Sequence, residues 1–151
     1  MALAAALAPI AGLAQDTQTF EADNGPIEVP AAPQRIVTIG NTSQPYVDLG
    51  GKPVGASSYW ALERLPADQQ AVFAAATEIG EEVDLELVAS LSPDLIIVQM
   101  DDAGFEAIED ELKSIASTVF WSLDTEWKEF SDEIAVAANL TEGLDAMRGE
   151  F

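Results

Sequence analysis

The chain has 151 residues, 48% of them hydrophobic, enough for one globular domain with its own core. Its 27 acidic and 6 basic residues leave a net charge of −21, which argues against nucleic acid and anionic membranes, because binding to either rests on basic patches. Cysteine and histidine are both absent from the sequence, which excludes disulfides, thiolate chemistry, imidazole acid–base catalysis and the usual zinc sites.

Residues 1–14, MALAAALAPIAGLA, form a short apolar run of small residues, too short to span a bilayer. Gly12 and Ala14 suit the small-residue positions before a signal-peptidase cut, so the run reads as a signal-peptide remnant, although no Lys or Arg precedes it. The expected destination is a periplasm. The alternative reading is a disordered alanine-rich tail. No cysteine follows Gly12, so a lipid anchor at that point is excluded.

Segments 17–22 and 26–29 flank Asp23-Asn24-Gly25, a hairpin turn signal. The run 35–39, RIVTI, predicts an apolar strand leading into the polar loop Gly40-Asn41-Thr42-Ser43. A short helix is expected over 43–49, closed by Gly50 and Gly51, then a strand over 53–56 and a helix over 66–77 with Val72, Phe73 and Ala76 inward.

The stretch 83–99, VDLELVASLSPDLIIVQ, organises the chain. Leu85, Val88 and Ala89 recur at helical spacing, and Pro93 ends that helix by restricting Ser92. Leu95, Ile96, Ile97 and Val98 follow without a polar break, as in a strand covered on both faces of a parallel sheet. Phe105, Ile108, Leu112 and Ile115 make one further helical stripe. A strand is expected over 118–121. Beyond it an amphipathic helix buries Trp127, Phe130, Ile134 and Ala137, and a last helix begins near Thr141 with Leu144, Met147 and Phe151 on one face.

Strands alternating with helices predict an α/β lobe with a mostly parallel sheet flanked by helices, of the Rossmann type. Ligands in such sheets bind beyond the carboxyl ends of the strands, which directs attention to Gln99, Met100, Asp101 and Asp102. The two aspartates suit either a cation or the start of the next helix. The loop from Gly40 to Ser43 suits either an anion held by backbone amides or an ordinary strand-to-helix turn. Tyr59, Trp60 and Trp121 follow strands, where aromatics either stack on a ligand or pack the domain surface. No nucleophile–base pair stands out, so no catalytic residue is assigned.

The ordered set TFEADNGPIEVP, PAAPQRIVTIG, GGKPVGASSY, DLELVASLSPDLIIV, ELKSIASTVF and WKEFSDEIAVAANL resembles the amino-terminal lobe of periplasmic ferric-siderophore and vitamin B12-type binding proteins of ABC importers. The resemblance covers most of residues 17–151, and LSPDLII with its preceding DLE is its most specific piece. It implies a two-lobed, non-enzymatic protein whose lobes hold the ligand between them. Residues 15–140 would form the first lobe and 141–151 the start of the inter-lobe helix, with the carboxyl-terminal lobe absent.

It also implies ligand contacts at Asn41, Thr42, Tyr59, Trp60, Gly80, Val98 and Gln99, and a permease-docking role for Glu86. The expected ligand is a ferric siderophore or related chelate, with iron present only as part of it. The expected partner is an ABC permease in the inner membrane, the expected state a monomer. Relatives carry aromatics or an arginine where this chain has Gly80, Glu82, Val98 and Gln99, so the acidic lobe suits a neutral or cationic chelate such as a ferric hydroxamate. For haem, Tyr59 is the available axial candidate. The competing readings are a nucleotide- or flavin-binding enzyme module using the Gly40 to Ser43 loop, and an interaction domain with no small ligand.

Overall fold

The computed structural model of the chain describes residues 15–57 and 62–149. The expected signal remnant, Tyr59, Trp60 and Phe151 lie outside them. The hairpin forms as the turn signal predicts: β1 (Thr17–Ala22) and β2 (Gly25–Pro30) pair antiparallel. Five strands make the main sheet: β3 (Ile36–Gly40), β4 (Gly55–Ala56), β5 (Thr77–Glu78), β6 (Leu95–Gln99) and β7 (Ser117–Trp121). Their order is β5-β4-β3-β6-β7, and every neighbouring pair is parallel. The chain winds outward from β3 to one edge, returns to lay β6 on the other side of β3, and ends at β7. The order of winding therefore reverses between β3 and β6, the position where doubly wound sheets open a crevice.

Alternation along β6 divides the core. Leu95 and Ile97 point into one cluster with Ile36, Val119, Trp121, Phe130, Ile134 and Leu144, under the hairpin, α1 (Ser43–Asp48), α6 (Trp127–Ala137) and α7 (Thr141–Gly149). Ile96 and Val98 point into the other, with Val37, Ile39, Val88, Phe105, Leu112 and Phe120, under α3 (Leu85–Ser90), α4 (Asp102–Glu106) and α5 (Glu109–Ile115). All five residues of β6 are buried, as an unbroken apolar run covered on both faces requires. The hairpin turn also clamps the outer edge of β7. Asn24 donates from Nδ2 to the Thr118 carbonyl and accepts from the Phe120 amide, and Asp23 Oδ2 accepts from the Ser122 amide and the Thr125 hydroxyl. A strand edge that would otherwise stay open is thereby partly satisfied.

Several expectations are corrected. The helix expected over 66–77 is α2 (Ala67–Ala75), and Thr77 belongs to β5, a two-residue edge strand too short for any periodicity to reveal. The strand expected over 53–56 shrinks to Gly55–Ala56. The stripe from Phe105 to Ile115 is interrupted at Ala107 and Ile108, giving α4 and α5, although all four stripe residues still pack against the same core cluster. In α3, Val88 is buried and Leu85, Leu87 and Leu91 pack against the core, whereas Ala89 is exposed. That helix ends in a left-handed residue, Ser92, at φ 48°.

Trp127 is not a core residue: it is 59% exposed, because it opens α6 beyond the end of the sheet. Trp121 takes the inward role instead. It is fully buried, meets Phe20 and Phe130 edge-on, and donates from its indole nitrogen to Glu133 at 2.5 Å. No helix among the described residues is long and apolar enough to cross a membrane.

Candidate functional site

The site grows from the switch point between β3 and β6. Gly40 ends β3 opposite Gln99, the last residue of β6. Gly40 has φ +67°, and a Cβ there would overlap the Gln99 carbonyl oxygen, so only glycine lets the two strand ends lie this close. The Asn41 amide donates to that carbonyl at 3.0 Å, and the Gly40 amide donates to Ser57 Oγ, beyond β4, at 2.9 Å. These bonds tie the ends of β3, β4 and β6 together. Above them opens a cleft of about 210 Å³ lined by Ile39, Gly40, Asn41, Ser57, Glu81, Val83 and Met100.

The expected contact residues fall into distinct places. Asn41 is exposed and lines the cleft. Gly80 follows β5 at φ +77° and turns the chain towards Glu81. Thr42 is fully buried, its hydroxyl 3.0 Å from the carbonyls of both Ile39 and Ile97, so it fastens the loop to the sheet. Val98 has no exposed surface and belongs to the core beneath α3, α4 and α5. Gln99 is buried at the strand end and donates from Nε2 to the Ser122 carbonyl, bridging β6 to the loop after β7. Glu86 stands exposed in the first turn of α3, two residues after Asp84, which caps the helix by accepting the Leu87 amide.

The alternatives left open by the sequence also find their places. Asp101 accepts the Gly104 amide at 2.9 Å and caps α4, while Asp102 lies in that helix's first turn, a favourable position for a carboxylate. The amides of Gly40 and Asn41 are bonded within the fold, so these two are not offered to an anion. Ser43 turns its hydroxyl inward to Thr38 at 2.8 Å.

Met100, one of the residues expected beyond the end of β6, lines the cleft, and Ser57, Glu81 and Val83 line it without a signal in the sequence. Ser57 and Met100 directly follow β4 and β6. Glu81 and Val83 follow β5, and recognising that short strand would have pointed to them.

A second group of clefts lies beyond β7. One, of about 390 Å³, is walled by Asp23, Asp102, Glu106 and Glu109 with the ring of Phe120. The other includes Asp124, Glu126, Glu129 and Glu133. Burial raises the Glu133 carboxyl above the ordinary range. The Trp121 indole opposes that shift, and the neighbouring charges of Glu129 and Asp23 add to it.

No protein-family model matches the chain. In sequence it is similar to the iron(3+)-hydroxamate-binding protein YxeB of Bacillus subtilis, 27% identical over 132 residues, covering 86% of this chain and 37% of that protein. In structure it is similar to Staphylococcus aureus SirA, which was crystallised with staphyloferrin B. That match has a TM-score of 0.73 and 27% identity, and covers 89% of this chain and 46% of SirA. The fold is also that of part of the periplasmic catecholate-siderophore binding protein VctP of Vibrio cholerae, with a TM-score of 0.66, 23% identity, and coverage of 87% and 48%. The chain spans about half the length of these structures, and less of YxeB. In sequence and fold it is similar to a single lobe of the siderophore-binding proteins.

Proposed function

We propose that this chain is the amino-terminal lobe of a two-lobed substrate-binding protein of an ABC importer, capturing a ferric siderophore and delivering it to a membrane permease. The observation that carries this reading is the cleft at the β3–β6 switch point. It lies where an α/β sheet receives a ligand, on a lobe similar to half of SirA. A cleft of this size is too small to enclose a chelate by itself, which fits a ligand shared with a second lobe. In this reading residues 1–14 are the remnant of a cleaved signal peptide, the protein works as a monomer in the periplasm, and α7 begins the inter-lobe helix.

Asn41 reaches the ligand directly, Tyr59 and Trp60 add aromatic contacts, and Gly80 shapes the wall. Thr42, Val98 and Gln99 act from beneath, by holding the strand ends. A neutral or cationic chelate, such as the ferric hydroxamate class in YxeB's name, suits the acidic lobe best. The engaged amides of Gly40 and Asn41 remove two of the donors that the nucleotide or flavin alternative would use.

The reading is tested in the two-lobed protein by titrating a ferric trihydroxamate against tryptophan fluorescence. Quenching is expected, and Tyr59→Ala should weaken binding by about 1–3 kcal/mol if its ring is a central contact. Unchanged affinity in Tyr59→Ala and in Asn41→Ala would move the site elsewhere. Glu86 is the proposed docking residue. A charge at an interface rim acts mainly on encounter and orientation, so Glu86→Ala should spare ligand affinity and lower permease-dependent uptake. Normal uptake accompanied by a large drop in melting temperature would assign Glu86 to the helix end alone.

A further inference from the structure

We propose that Glu81 sets the charge of the ligand this cleft accepts, admitting neutral and cationic ferric chelates and turning away anionic ones. The inference rests on the binding-lobe reading above. Among the described residues lining the cleft, Glu81 is the ionisable one; the others are Ile39, Gly40, Asn41, Ser57, Val83 and Met100. Its carboxylate is unspent, since it makes no ion pair or hydrogen bond among the described residues. The left-handed turn at Gly80 brings it from the end of β5 to the cleft above β3 and β4.

Among the described residues no basic side chain lines the cleft to offset it. Arg35 and Lys52 precede β3 and β4, at the opposite ends of those strands, and Arg35 is engaged with the carbonyls of Leu91 and Ser92. Lys113 and Arg148 are paired with Glu109 and Asp132, and Arg64, in the segment after β4, and Lys128, in α6, are not part of the cleft lining. The acids that follow the strands, Glu82, Asp101, Asp102 and Asp124, add to the same field. Among the described residues no three carboxylates gather to hold a metal ion, so Glu81 is a single charge facing the cleft rather than part of a metal cage. Glu81 is exposed at the cleft, so its field acts on a multiply charged ligand at close range and is screened as salt rises.

The experiment titrates the 15N-labelled two-lobed protein with two diamagnetic gallium(III) chelates, following amide shifts because they register weak binding. One probe is a linear trihydroxamate chelate carrying a free ammonium group; the other is a triply negative tricatecholate. The expected result is shifts at Gly40, Asn41 and Ser57 with the cationic chelate, and about tenfold or more weaker binding of the anionic one. Glu81→Gln should narrow that ratio and Glu81→Lys should invert it, while Glu82→Gln, beside the cleft, should narrow it less than Glu81→Gln does. Equal binding of both chelates by the parent, or an unaltered ratio in Glu81→Lys, would overturn the role of Glu81 while leaving the binding lobe standing. Shifts with neither chelate would overturn the binding-lobe reading and this inference with it.

Discussion

The two sides of the sheet are built differently. From β3 towards β7 the strands are five residues long, β6 is completely buried, and helices cover both faces. From β4 to β5 the strands are two residues long, and α2 beside them contains no fully buried residue. The cleft opens where the two constructions meet: Gly40, Asn41 and Met100 come from the rigid side, Ser57, Glu81 and Val83 from the lighter one. A binding surface made this way takes its position from packed strands and its adaptability from turns, as loops carried on a scaffold generally do.

The comparison predicts a gradient of mutational cost. The largest effect belongs to Ile97→Asp, which would bury an unpaired carboxylate in the middle of β6. It should cost several kcal/mol, on the order of the whole stability of a small domain, and chemical denaturation should find little or no folded protein. Parent-like unfolding would erase the distinction between the two sides. Gly40→Ala comes next, combining the left-handed backbone with an overlap on the Gln99 carbonyl. A loss of about 2 kcal/mol or more is expected, with amide shifts spreading along the ends of β3 and β6. Val72→Ala, in half-buried α2, should change stability by less than about 1 kcal/mol, and a larger loss would show that the light side is packed more firmly than its burial indicates.

The smallest effect is a pH dependence at Glu133. Its carboxyl is raised in the folded state, so the fold holds that proton more tightly than the unfolded chain does. The associated stability is fully present below the ordinary carboxylate value and is lost as pH rises through the raised folded one. Glu133→Gln keeps an acceptor for the Trp121 indole and removes the charge. It should therefore gain stability over the parent at neutral pH, with the gain shrinking in acid. A difference in melting temperature that stays constant across pH would contradict the assignment.

The same contrast explains what the sequence disclosed. Buried parallel strands write themselves as uninterrupted apolar runs, so Leu95 to Val98 and the strand after Arg35 were legible, and the hairpin followed from Asp23-Asn24-Gly25. On the light side β5 is two residues at the end of an alanine-rich helix, too short for a pattern, and with it Glu81 and Val83 escaped notice. Trp127 and Trp121 were exchanged because helical spacing marks which residues share a face, not how far the first turn projects beyond the sheet. Thr42 and Gln99 were legible as residues at strand ends. Their hydrogen bonds to Ile97 and Ser122 come from segments distant in the sequence, and spacing carries no trace of them.

The central claim is that a ferric chelate sits over the ends of β3, β4 and β6. Iron(III) is paramagnetic and broadens the signals of nearby nuclei, so a ferric trihydroxamate added to the 15N-labelled two-lobed protein reports its own position. The account predicts selective broadening at Gly40, Asn41, Ser57, Glu81 and Met100, with α5 and the segment before β3 remaining sharp. Broadening centred on α5 or on the amino-terminal ends of the strands, or none at all at saturating chelate, would contradict it.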